Sequence, residues 1–146
     1  MDKKIQDMIK LATKARDAAY APYSKHPVGV AVMAMDGHIY AGSNVENAAY
    51  PQSRCAESTA IGNMILGQDG QGGSSRNITT VVIVGPGKEA CTPCGGCRQS
   101  LREFAVPDAH IYICDNDGKI IMDCDFASLL PHSFGPENVK EVNSEL

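Results

Sequence analysis

Apolar residues in the first stretch of the chain recur at helical spacing. Ile5, Met8, Ile9, Ala12 and Ala19 fall mostly on one stripe, the pattern of a helix with one buried face. Ala21-Pro22 ends it, because the residue before proline avoids the α region. The pattern then changes. Val28 to Met35 carries no charge and is followed by Asp36-Gly37, a hairpin signal between extended runs. His38 to Ser43 reads as the returning strand, and Asn44 to Arg54 as a loop rich in Asn, Pro and Ser. Cys55 to Leu66 restores the helical pattern through Ala60, Ile61, Met64 and Ile65, with Gly67 placed to stop it.

Asp69 to Arg76 reads as a flexible loop, too short to link two domains. Ile78 to Val84 is a β-branched run that suits a central strand covered on both faces. Gly85 to Pro93 reads as loop and Cys94 to Phe104 as a third helix. His110 to Cys114 and Lys119 to Cys124 flank a turn containing Asp117-Gly118. Phe126 to Leu130 gives a last helical turn or two, stopped by Pro131. The predicted order is α-β-β-α-β-α-β-β-α. Such alternation predicts an α/β fold, one mixed sheet with helices on its faces. There is no internal repeat.

Length and charge narrow the classes. The chain has 146 residues, which predicts a single domain over 1–146. With 13 basic and 17 acidic residues the net charge is −4. That argues against a surface tracking nucleic-acid phosphates, which is usually basic. Aromatics total 5% and Trp is absent, which argues against interleaved base-stacking platforms. No apolar stretch approaches the ~18 residues of a membrane helix, so neither a nucleic-acid polymer nor a membrane is expected as a partner. The N-terminus Met1-Asp2-Lys3-Lys4 is polar where a signal peptide needs an apolar core. The expected compartment is the cytoplasm. Six cysteines kept reduced there direct attention to metal binding or catalysis.

Cys94 and Cys97 stand in Pro93-Cys94-Gly95-Gly96-Cys97. That i, i+3 spacing at a helix start puts both sulfurs on one face, and a helix N-terminus favours the thiolate that a metal needs. Alone, C-x-x-C reads equally well as half of a closed structural zinc site. Cys55-Ala56-Glu57, at the start of another predicted helix, adds a third thiolate with a carboxylate two residues on. Three protein ligands leave zinc a fourth position for water, whose pKa zinc lowers to about 7. A carboxylate nearby that is not a ligand can then move protons. Residues two apart do not share a helix face, so Cys55 is expected at or before the first turn.

The chain resembles the small zinc-dependent cytidine deaminases with three cysteine ligands. The resemblance rests on Pro22-Tyr23-Ser24, Val28-Gly29, Asn44-Val45-Glu46-Asn47, Cys55-Ala56-Glu57, Pro93-Cys94-Gly95-Gly96-Cys97-Arg98-Gln99 and Leu129-Leu130-Pro131, in that order and nearly over the whole length. Nucleobase deaminases pair a ligand-x-Glu with P-C-x-x-C in this way. The resemblance implies a three-layer α/β/α sandwich and hydrolytic deamination of cytidine or deoxycytidine, as in pyrimidine salvage. It implies a homotetramer with shared sites, in which Phe134 approaches a neighbour's site. It further implies that Cys55, Cys94 and Cys97 hold Zn²⁺ and that Glu57 shuttles protons. Ala56 would contact the base through its backbone, and Asn44 and Glu46 would read the ribose hydroxyls.

Two positions depart from the family pattern. His26 stands where an aromatic residue, most often Phe, stacks on the base. Ser58 stands where an arginine commonly draws charge from a thiolate, leaving Arg54 or Arg98 as candidate substitutes. Other readings are set against these. Cys91 forms a second C-x-x-C with Cys94 and could close a four-cysteine site. Cys114 and Cys124 fall in strand patterns and read as small core residues. Gly85 to Ala90 fits G-x-G-x-x-A, but Pro86 and Pro93 leave no helix to receive a dinucleotide. His38, His110 and His132 read as strand or loop residues. The rival functions are a deaminase of another aminated heterocycle, of the blasticidin S deaminase kind, and a non-catalytic zinc-stabilised module.

Overall fold

The computed structural model describes residues 2–67 and 75–139. Helix α1 spans Lys3–Asp17 and is capped by the Asp2 carboxylate, which accepts from the Lys4 amide. It stops short of Ala19 because Ala18 already serves as its C-cap. Strands β1 (Gly29–Ala34) and β2 (Ile39–Ser43) form the expected hairpin. Gly37 sits in its turn at φ 89°. The segment after β2 holds one 3-10 turn, Tyr50–Gln52. Helix α2 follows at Ala56–Leu66, then β3 at Ile78–Val84, α3 at Gly95–Arg102, β4 at Ala105–Cys114 and β5 at Ile120–Asp125. A 3-10 turn over Phe126–Ser128 takes the place of the last helix. Most of the loop expected over Asp69–Arg76 lies outside the described residues.

The five strands form one sheet in the order β2-β1-β3-β4-β5. Only β3 and β4 run parallel. The sheet is therefore mixed, and α3 provides the crossover that a parallel pair needs. Strand β4 begins five residues earlier than its apolar pattern suggests. Ile78 pairs with Ala105 and Thr80 with His110, so the segment with Pro107-Asp108 bulges out of the ladder. Proline is tolerated at such bulges, where no ladder bond is lost.

Alternation along the strands splits the core in two. Ala31, Val82, Val84 and Cys114 pack with Ile5, Met8 and Ala12 of α1 on one face. Val30, Val32, Val81, Ile83 and Ile111 pack with Ala56, Ala60 and Met64 of α2 and Leu101 of α3 on the other. The result is three layers, α/β/α. Met8 and Leu101 are fully buried, a state worth about 1.5–3 kcal/mol for each such side chain. Cys114 lies in the core, as its strand pattern suggested. Among the described residues no helix is long and apolar enough to cross a membrane.

Candidate active site and metal centre

Strand register sets the site. Gly29 at the start of β1 pairs with Ser43 at the end of β2 and with Val84 at the end of β3. Three loops therefore leave the sheet at one end: residues 24–28, residues 44–54 and residues 85–93. They and the N-termini of α2 and α3 enclose a cavity of about 370 Å³.

Cys55 caps α2 and Cys94 caps α3, both in extended backbone. Cys55 thus stands before the first turn, as its spacing from Glu57 required. Helix α3 starts one residue later than expected because Cys94 is its cap. Cys97, in the first turn of α3, is 3% exposed. The three sulfurs lie within 4.8 Å of one another, with 3.4 Å between Cys94 and Cys97. Sulfurs around tetrahedral zinc stand about 3.8 Å apart for Zn–S bonds of about 2.3 Å. Among the described residues this is the one cluster able to hold a metal, and its donor set fits zinc.

The thiols are not equivalent. Backbone amides of Cys97 and Gly96 at the α3 N-terminus hold the Cys94 thiol below its usual range. Burial, and then the Glu57 charge beside it, push the Cys97 thiol up strongly. Burial also raises Cys55. Metal binding must expel these protons, so zinc affinity and pH are linked. Ser58 brings no charge to the site. Arg54 donates to the carbonyls of Pro51 and Ser53, and Arg98 to those of Pro93 and Leu129. For Cys94, the helix N-terminus supplies the favourable dipole instead.

Glu57 lies in the first turn of α2 and is 5% exposed. Burial raises its carboxyl above the usual range, and hydrogen bonding with the Cys97 thiol partly opposes this. A carboxyl shifted toward neutrality is suited to both take and give a proton.

Asn44 and Glu46 line the same cavity as His26 and Ala56. Asn44 Oδ1 accepts from the Val28 amide at 2.8 Å, and its Nδ2 donates to the His26 carbonyl at 3.0 Å. Glu46 accepts from the amides of Tyr23 and Ser24 at 3.0 and 3.1 Å and from the Ser24 hydroxyl. The Ser24 hydroxyl and these amides hold the Glu46 carboxyl below its usual range. Ser24 enters the sequence analysis only within Pro22-Tyr23-Ser24, with no site role. Its signal was the spacing Ser-x-His, in which the hydroxyl accepts from the amide two residues on, at 3.0 Å. Cys91 also lines the cavity, but its sulfur lies 3.7 Å from His26 Nε2. A larger cavity of about 460 Å³ opens between Arg102–Pro107 and Leu130–Glu137, away from the cysteines.

A family model described as the cytidine and deoxycytidylate deaminase zinc-binding region matches residues 2–113. The chain belongs to that family. It is 38% identical over 135 residues to the cytidine deaminase of Sporosarcina psychrophila, covering 92% of this chain and 94% of that one. The cytidine deaminase of Halalkalibacterium halodurans is 35% identical over 136 residues, covering 93% and 98%. The crystal structure of cytidine deaminase from Burkholderia pseudomallei superposes with a TM-score of 0.78 at 32% identity, covering 92% and 100%. The three-layer fold and the zinc-fitting cysteine cluster are thus those of the deaminase family. Nothing in these comparisons favours a blasticidin S deaminase or a non-catalytic module.

Proposed function

We propose that the chain hydrolyses the 4-amino group of cytidine or deoxycytidine, giving the uridine form and ammonia. The observation that carries this reading is one cavity joining three cysteine sulfurs, a buried carboxyl and a polar sugar-sized rim. Cys55, Cys94 and Cys97 would hold zinc, which when bound supplies Lewis acidity and a water of lowered pKa. Glu57 takes a proton from the attacking water and passes it to ring N3 of the base. It then takes the second proton from the new hydroxyl on C4 and delivers it to the 4-amino group, which leaves as ammonia as the C4 carbonyl forms. Burial of Glu57 keeps bulk water from competing for that proton. The backbone of Ala56 meets the base edge. Asn44 and Glu46 offer donors and acceptors to ribose hydroxyls, and Glu46 stays ionised because its own loop stabilises the charge.

The same reading places the chain in the cytoplasm, in pyrimidine salvage, as a homotetramer with shared sites. Phe134 is 61% exposed and its carbonyl accepts from Gln99 of α3, which suits contact with a second copy. Truncation after Pro131 then lowers activity while zinc remains, and light scattering gives four chains. A fully active monomer refutes the shared site. The deciding assay follows ultraviolet absorbance on cytidine, deoxycytidine, cytosine, a nucleotide and blasticidin S. Turnover of blasticidin S without turnover of cytidine overturns the reading.

A further inference from the structure

His26 joins the two ends of the cavity. Its backbone N–H donates to Ser24 Oγ, and its carbonyl accepts from Asn44 Nδ2. Ser24 in turn is bound to Glu46. The backbone of His26 is therefore held directly by Asn44 and, through Ser24, by Glu46, the two residues proposed to read the sugar. Its ring points the other way, with Nε2 3.7 Å from Cys91 Sγ. The turn between Ser24 and His26 is tight, with Lys25 at φ 57°.

The two partners differ in how firmly they are held. His26 is exposed on a loop. Cys91 is half-buried against the larger core. It sits on Gly85 so closely that a Cβ there would lie 2.7 Å from Cys91 Cβ. Cys91 is also outside the cluster of three sulfurs, so the metal does not claim it. A fixed sulfur thus meets an otherwise loosely held imidazole.

We propose that Cys91 is a positioning residue that fixes the His26 ring in the cavity, so that sugar binding at Asn44 and Glu46 is transmitted to the base. This rests on the nucleoside deaminase reading above. A sugar engaging Asn44 and Glu46 changes groups that hold the His26 backbone. With the ring anchored on Cys91, that change alters how the imidazole meets the base. Without the anchor, the ring relaxes and the sugar's binding energy is not used in turnover. The sulfur therefore sets part of the preference for a nucleoside over a free base.

The test uses the zinc-loaded full chain with cytidine and with 1-methylcytosine, which lacks the sugar. Cys91→Ala is expected to keep one zinc per chain. It should lower kcat on cytidine roughly fivefold, the value of one neutral hydrogen bond, and leave 1-methylcytosine within about twofold. Cys91→Val, which keeps the packing, should behave like Cys91→Ala. Cys91→Ser should restore the cytidine preference. Imidazole ¹⁵N resonances of His26 should move in the Ala and Val variants and return in the Ser variant. Equal losses on both substrates, a change in KM alone, or failure of serine to rescue overturns the proposal. If the wild type turns over neither substrate, the deaminase reading fails separately. Calorimetry with uridine and 1-methyluracil then decides the coupling, and an unchanged affinity ratio in Cys91→Ala overturns it.

Discussion

Gly42 of β2 lies directly against Ala60 of α2. A Cβ on Gly42 would stand 2.2 Å from the Ala60 nitrogen and 2.3 Å from Thr59 Oγ1. Thr59 donates that hydroxyl to the Ser43 carbonyl at 2.8 Å, and Asn63 Nδ2 donates to the Ala41 carbonyl at 2.7 Å. The helix is thus clamped to the strand at a distance only glycine permits. Cys55 and Glu57 ride on the start of that helix, so the clamp also sets where sulfur and carboxyl enter the cavity.

Gly42→Ala should therefore force α2 outward. Overpacking of this kind costs about 1–3 kcal/mol or more, which lowers the melting temperature by several degrees at this chain length. Zinc should also be held more weakly, because Cys55 moves with the helix while Cys94 and Cys97 stay. Melting curves and competition with a chelator measure the two effects. A variant with wild-type stability and wild-type zinc affinity contradicts the clamp.

Metal content tests the ligand set independently of turnover. Cys94→Ala should lose zinc and all activity, since Cys94 is the thiol that the α3 amides favour as thiolate. Cys91→Ala should keep zinc at one per chain. Elemental analysis of both purified variants decides the matter. Loss of zinc from Cys91→Ala would restore the closed four-cysteine site.

Much of this centre was legible in the sequence, and the reasons are local. Cys94 and Cys97 are three residues apart, and Cys55 and Glu57 two apart, so short motifs marked the candidates, and the family resemblance supplied their roles. The Asp36-Gly37 turn and the apolar run before it located the β1–β2 hairpin to within a residue or two. The start of β4 was not legible, because Pro107-Asp108 broke the pattern and a bulge absorbs it only in the folded sheet. The hold of Ser24 on Glu46, 22 residues on, and the approach of Cys91 to His26, 65 residues apart, depend on loops meeting at the sheet's end. No periodicity within either loop encodes that meeting.

Glu57→Gln should keep fold and zinc but lose turnover by about 10²-fold or more, the range of a lost general acid–base group. Glutamine preserves the shape beside Cys97 and removes the titrating proton. Steady-state rates with matched zinc content provide the check. Near-normal turnover would take Glu57 out of the proton pathway.

A last prediction concerns stability against pH. Asp115 closes the β4–β5 turn and is 5% exposed. Its Oδ1 accepts from the amides of Asp117 and Lys119 at 2.9 and 3.0 Å, and Lys88 Nζ lies 3.6 Å from Oδ2. The Lys119 amide first, with the Asp117 amide and Lys88, holds the Asp115 carboxyl below its ordinary value of 3.8, against a smaller opposing effect of burial. A carboxyl depressed in the folded state contributes stability above its unfolded pKa and loses it as pH falls through the folded one. Asp115→Asn keeps an oxygen for the two amides and removes only the charge. It should melt below the wild type by a constant interval from pH 7 to pH 5. The interval should shrink as pH drops under about 3.8, where the unfolded carboxyl protonates. Zinc release in acid affects both proteins and cancels in the difference. The turn also takes Gly87 into its structure, through the Asn116 amide donating to the Gly87 carbonyl at 2.9 Å. Loosening the turn should therefore loosen the loop that leads to Cys91, and amide exchange in residues 85–93 should quicken in Asp115→Asn at pH 7. An interval that stays constant down to pH 3 would show that the Asp115 charge adds nothing to the fold.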